Sequence, residues 1–92
     1  MAVIVIQEVS GMTTEMADGM VQAGIADQLK SAAGFRHHAS GPMDNGYRVI
    51  EVWDSPEAFQ AWFDGTIKPN LPPGVTVADA VFVDAYVEVQ SD

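Results

Sequence analysis

Apolar residues along this chain follow two alternating periods, and the alternation lays out the elements. Residues 2–9 hold Val3, Ile4, Val5 and Ile6 without a polar break, the pattern of a strand covered on both faces and central in its sheet. From Thr13 the period lengthens. Met16, Met20 and Gly24 form one i, i+4 row and Val21, Ile25 and Leu29 the next, with Glu15, Asp18 and Gln22 opposite. That pattern predicts one amphipathic helix ending near Lys30. Residues 35–40 read as a second strand, and Asp44-Asn45-Gly46 as a hairpin turn, because Asn-Gly tolerates positive φ. Residues 47–53 alternate as a third strand, stopped by Asp54-Ser55-Pro56-Glu57. There Ser55 caps a helix, Pro56 opens it and Glu57 opposes its positive end. Phe59, Trp62, Phe63 and Thr66 then form one stripe, with Gly65 placed to end the helix. Pro69, Pro72 and Pro73 make residues 66–74 an extended surface loop. Alternation returns over residues 79–89: Val81, Val83, Ala85, Val87 and Val89 share one face, and Phe82, Asp84, Tyr86 and Glu88 the other.

The order β-α-β-β-α-β predicts a ferredoxin-like α+β fold, a four-stranded antiparallel sheet with two helices on one face, in a single domain over residues 1–92. Two helices cover one face only. The first and last strands are apolar on both, so the second face predicts a homodimer stacked sheet to sheet, the geometry of a dimeric α+β barrel.

Composition narrows the classes of function. Thirteen acidic residues against Lys30, Arg36, Arg48 and Lys68 give a net charge of −9, which repels phosphate backbones and anionic lipid and argues against nucleic-acid or membrane partners. The absence of cysteine removes disulfides, thiolate metal sites and thiol catalysis, and fits a reducing cytoplasm. The apolar run at the start is too short for a signal segment or a membrane span.

Chemistry must then come from a few polar side chains in an apolar frame. His37 and His38 are adjacent on a strand and point to opposite faces, so they cannot share one metal. Either is a candidate general base, or a core histidine. His38 is in register with Arg36 and Ser40, and His37 with Phe35 and Ala39. Glu51 and Asp84 sit among apolar neighbours, where a carboxylate must be paired, exposed or shifted in pKa. Arg48 is placed to neutralise such a carboxylate or hold a substrate anion. Tyr47 and Tyr86 offer hydroxyls on apolar bodies. Phe59 and Trp62 are candidate pocket walls, Trp53 a structural residue, and Met12, Met16 and Met20 either core or a pliable wall. There is no phosphate loop, nucleophile elbow or metal-binding helix motif.

The pairs Gly34-Phe35 and Glu51-Val52-Trp53-Asp54-Ser55, followed by Phe59 and Trp62, resemble the dimeric α+β barrel superfamily and its antibiotic-biosynthesis and heme-degrading monooxygenases. The resemblance implies a pocket between each subunit's sheet and helices. Trp62 matches a tryptophan of the heme-degrading branch. That branch implies a ligating histidine about ten residues later, where this chain has Pro72, and an asparagine on the first strand, read here as Val and Ile. These departures argue against heme degradation. The expectation is therefore an enzyme without cofactor or metal, oxidising an aromatic or polyketide-like hydrophobic small molecule. His37 or His38 would act as base, with Arg48 stabilising negative charge and Trp62, Phe59, Tyr86, Asp84 and Glu51 around the substrate. A non-redox isomerase, cyclase or lyase in the same pocket, or a non-catalytic ligand-binding or structural dimer, are the alternatives.

Overall fold

The first strand, β1 (Val3–Ser10), runs through the middle of the sheet and organises everything else. In the computed structural model, which describes residues 1–91, β1 pairs antiparallel along its whole length with β3 (Gly46–Trp53), Val3 opposite Trp53 and Ser10 opposite Gly46. Burial alternates along it: Val3, Val5, Gln7 and Val9 are buried beneath the helices, whereas Ile4 and Ile6 on the opposite face are only half-buried. The covering expected on both faces is thus present on one.

β2 (Phe35–Met43) forms a hairpin with β3, and Asn45 sits in the turn at φ 65°. Gly46 is required there by close approach, since a Cβ at this position would lie 2.0 Å from the Val9 carbonyl oxygen. The hairpin is irregular between Phe35 and His37. That bulge inserts one residue at Arg36, so Phe35 stands opposite Trp53 and His38 opposite Glu51, both on the helix-covered face. Simple alternation would have put Phe35 and His37 together.

The first helix is two helices. α1 (Thr14–Gln22) is capped by Thr13, whose Oγ1 accepts from Met16 N at 3.2 Å, and α2 (Ile25–Lys30) follows after Gly24. Gly24 adopts φ 95°, a left-handed conformation that ends α1 and re-aims the chain. α3 (Pro56–Trp62) starts as expected, Ser55 Oγ accepting from Ala58 N at 3.1 Å, with Phe59 and Trp62 buried. It does not stop at Gly65. A π-helical turn over Phe63–Ile67, closed by Lys68 N–H donating to the Phe63 carbonyl, carries the chain on, and a 3₁₀ turn over Lys68–Asn70 follows.

The fourth strand is shorter than the alternation of its sequence. β4 (Thr76–Val77) pairs with Val9 and Ser10, and β5 (Val81–Asp84) with residues 3–6 of β1. Ala85 N–H still reaches the Ala2 carbonyl at 2.9 Å, just ahead of the start of β1 at Val3. The segment after Asp84 leaves the sheet instead and runs to the start of β2, where Glu88 meets Arg36. The strand order β2-β3-β1-β4, with β5 also on β1, is the ferredoxin-like arrangement.

Between sheet and helices lies a core of Val3, Val5, Leu29, Trp53, Phe59 and Trp62. Trp53 is fully buried and meets Phe35, Phe59 and Trp62 at ring-centroid distances of 5.4, 6.0 and 6.3 Å. The outer face carries exposed aliphatics: Ile50, Val81 and Val83 retain 45%, 55% and 45% of their accessible surface. Among the described residues no helix is long and apolar enough to cross a membrane.

Candidate functional site

Where the sheet curves under α1, α2 and α3 the core does not close, and a cavity of about 220 Å³ remains, partly open to solvent. The helices supply an apolar roof, with Met12, Met20, Leu29, Phe59, Trp62 and Phe63 lining it, and Leu71 of the proline-rich segment adds to one side. The sheet supplies the polar groups. Gln7 from β1, His38 and Ser40 from β2, and Tyr47 and Glu51 from β3 all line the floor. An apolar envelope with a few convergent polar groups is the ordinary form of a small-molecule site.

Those polar groups form a chain. The Trp53 indole Nε1–H donates to Glu51 Oε1 at 2.9 Å, and the other carboxylate oxygen of Glu51 lies 2.6 Å from His38 Nδ1. His38 Nε2 is in turn 3.1 Å from Ser40 Oγ. Glu51 retains only 4% of its accessible surface, so an unpaired carboxylate there would be costly; both of its oxygens are matched. A carboxylate accepts and cannot donate when ionised, so Nδ1 carries the proton and a neutral His38 presents Nε2 as an acceptor toward Ser40. Gln7, buried in the same face, donates from Nε2 to the Ala78 carbonyl at 3.4 Å.

Of the eight residues expected at the base, the charge-stabilising position and around the substrate, four meet at this cavity: His38, Glu51, Phe59 and Trp62. Four do not. His37 is on the outer side of the sheet beside Glu88 and Gln90, because the bulge at Arg36 gives the inner position to His38. Arg48 faces outward and pairs with Glu8 at 2.7 Å, which removes it from any role with a bound anion in the cavity. Asp84 is exposed near the end of β5. Tyr86 retains 91% of its surface on the segment that has left the sheet, so it shapes no cavity. Gln7 is the residue that sequence reasoning passed over. Its signal was present: a polar side chain in step with Val3, Val5 and Val9 belongs to the buried row. Among the described residues no group of three or more ionisable ligands is placed to hold a metal ion alone.

No family model and no curated protein matches the chain. Solved structures do. A variant of MhuD, crystallised with two manganese protoporphyrin IX molecules per active site, is similar to 97% of this chain and 99% of its own length, at a TM-score of 0.65 and 22% identity. The heme-degrading protein Rv3592 from Mycobacterium tuberculosis, in a heme-free form, covers 98% of this chain and 100% of its own, at a TM-score of 0.58 and 21% identity. These neighbours correct the functional expectation. The sequence argues against heme degradation at two positions and for cofactor-independent oxidation of an aromatic or polyketide-like molecule, a non-redox reaction or a non-catalytic dimer. Both full-length neighbours are instead a porphyrin-binding and a heme-degrading protein. β1 presents a carboxamide, that of Gln7, to the cavity. By fold, the chain is similar to these two structures along nearly its whole length, sharing the ferredoxin-like α+β arrangement of its sheet and helices.

Proposed function

We propose that this protein binds heme as its substrate in the cavity between sheet and helices, and opens the macrocycle with dioxygen and an external electron donor. The observation that carries this reading is the cavity's composition: an aromatic and aliphatic envelope with a single imidazole and a carboxamide on its floor. A flat, largely apolar macrocycle gains from such walls by area alone, about 25 cal/mol for each Å² of apolar surface removed from water. The propionate edge is the group the cavity does not provide for. None of Lys30, Arg36, Arg48 and Lys68 lines it, so that edge belongs at the open mouth, in solvent. Trp62 and Phe59 press on one wall and exclude water from the enclosed part, while Gln7 offers a hydrogen-bond donor on the floor.

The test is direct. Purified protein titrated with hemin should show a saturable shift of the Soret band at one or two equivalents. Adding ascorbate in air should then bleach that band, and the same mixture without oxygen should keep it. A protein that takes up no hemin, or holds it intact under reductant and oxygen, would end this reading.

The uncovered sheet face bears on assembly. We also propose that a second copy of the chain covers Ile50, Val81 and Val83, because the patch is apolar and its nearest charges, Arg48 and Glu8, already neutralise each other. Two-fold pairing places the same patch on both partners, so an apolar face meets its like despite the net charge of −9.

A further inference from the structure

We propose that His38 on β2 ligates the heme iron in this protein, in place of a side chain from the segment after Trp62, and that Glu51 and Trp53 are positioning residues which fix its imidazole. The proposal rests on the heme reading above. Iron needs a nitrogen lone pair at the cavity wall and a ring held against rotation. Metal-bound histidines meet the second need by donating their other N–H to a carboxylate. His38 has that arrangement before any metal arrives: Nδ1 is held by Glu51 at 2.6 Å, and Nε2 lies against Ser40, itself on the cavity wall. The hold is itself supported, because the second oxygen of Glu51 takes the N–H of Trp53, an indole fully buried among Phe35, Phe59 and Trp62. Three side chains on two adjacent strands thereby turn a half-exposed imidazole into a fixed donor.

The alternatives are weaker. The chain has two histidines, and His37 is on the other side of the sheet. After Trp62 the residues that reach the cavity are Phe63, Ile67, Leu71 and Val77, none of which has a donor atom in its side chain. Tyr47, Met12 and Met20 line the cavity with an oxygen and two thioethers, and among the described residues none of the three is held by a carboxylate. The bulge at Arg36 is what makes the arrangement, since without it His37 would stand opposite Glu51 and His38 would be on the outer face.

The experiment compares hemin with metal-free protoporphyrin IX, so that ligation and pocket are read separately. Titrations use the full chain and the variants His38→Ala, His38→Gln, Glu51→Gln and His37→Ala, with far-UV circular dichroism as the control for folding. The proposal expects hemin affinity to fall at least 10-fold in both His38 variants, with loss of the imidazole-type Soret and electron paramagnetic resonance signals, and expects free imidazole to restore those signals. Protoporphyrin IX should bind all variants alike, and His37→Ala should match the parent. Glu51→Gln should keep the coordination but lower the iron–histidine stretching frequency, a change that a merely structural role would not produce. Wild-type hemin signals retained in folded His38→Ala or His38→Gln would overturn the ligand assignment while leaving heme binding in place. Failure of the parent protein to bind either porphyrin would overturn the heme reading and this proposal with it.

Discussion

Glu51 Oε2 lies 2.6 Å from His38 Nδ1, and the same carboxylate takes the Trp53 indole N–H at 2.9 Å, so one buried acid joins the cavity to the core. A carboxylate with 4% of its surface exposed survives there because each oxygen has a donor. Glu51→Ala removes both acceptors and leaves two donors without partners, one of them fully buried; it should cost about 3 kcal/mol of stability. Glu51→Gln keeps the shape and one acceptor, and should cost about 1 kcal/mol. Urea unfolding followed by tryptophan fluorescence measures both. Equal losses in the two variants would mean that the shape and the acceptor kept by glutamine contribute nothing.

The two tryptophans should separate in the same assay. Trp53 is fully buried and its N–H is committed to Glu51, whereas Trp62 borders the cavity and, among the described residues, its N–H has no partner. Trp53→Phe therefore loses volume and orphans a carboxylate oxygen, a cost of about 2 to 3 kcal/mol. Trp62→Phe loses volume beside a space that already exists, and should cost under about 1.5 kcal/mol. Its larger effect should be on the cavity, seen as weaker quenching of the remaining fluorescence by added hemin. A Trp62→Phe variant less stable than Trp53→Phe would contradict the packing described above.

What the sequence made legible was local. Ser55 and Pro56 announce a helix start by their own chemistry, and Asn45-Gly46 announces a turn in the same way. The features that decide the site are not local. No glycine or other cue marks the bulge at Arg36; it follows from Phe35 packing edge-on to Trp53 and from Arg36 being drawn to Asp54 and Glu88, contacts that exist only once the sheet has formed. Residue parity therefore put His37 with Phe35, and left the choice of histidine open. Gly24 was counted into an apolar row, although its positive φ breaks the helix there. The alternation of the last strand runs to Val89, but the strand stops where its partner β1 begins. The resemblance points to a ligand on the segment after Trp62, whereas the imidazole of the cavity comes from β2, across the sheet.

Arg36 ties the C-terminal segment to β2, with NH2 2.8 Å from Glu88 and NH1 3.1 Å from Asp54. The hydrogen bonds to Glu88 and Asp54 raise the Arg36 pKa above its ordinary value, and the hydrogen bond from Arg36 holds Glu88 below the usual glutamate value of 4.5. The signs set the pH window. A raised arginine loses its contribution only at extreme alkaline pH. A depressed carboxylate contributes above its unfolded pKa, and that contribution is lost as pH falls through the folded value. Arg36→Gln should accordingly be less stable than the parent at pH 6, with the gap narrowing as pH falls below 4.5 and shrinking in 1 M salt, because the pair is exposed and screened. Thermal melts across pH 3 to 7 measure the gap. A difference that does not narrow at all between pH 6 and pH 3 would assign the effect to packing of the arginine stem.

The outer face supplies the last prediction. Ile50 on β3 and Val83 on β5 lie on the same side of the sheet as Ile4 and Val52, and no helix covers them. The chain after Asp84 does not cover them: it runs past the end of the sheet to Arg36 and leaves Tyr86, Val87 and Val89 exposed as well. A face of this kind in water is the usual mark of an interface. The chain should sediment as a dimer at micromolar concentration. Ile50→Asp and Val83→Asp each place a charge where it must be desolvated on pairing, twice over because a two-fold axis repeats it, and should weaken self-association at least about 100-fold. Neither change touches the cavity, so hemin uptake per chain should survive in the resulting monomers. A wild-type chain that is monomeric at these concentrations would show that the face is tolerated in water, and a variant that loses dimer and hemin together would show that the cavity depends on the partner.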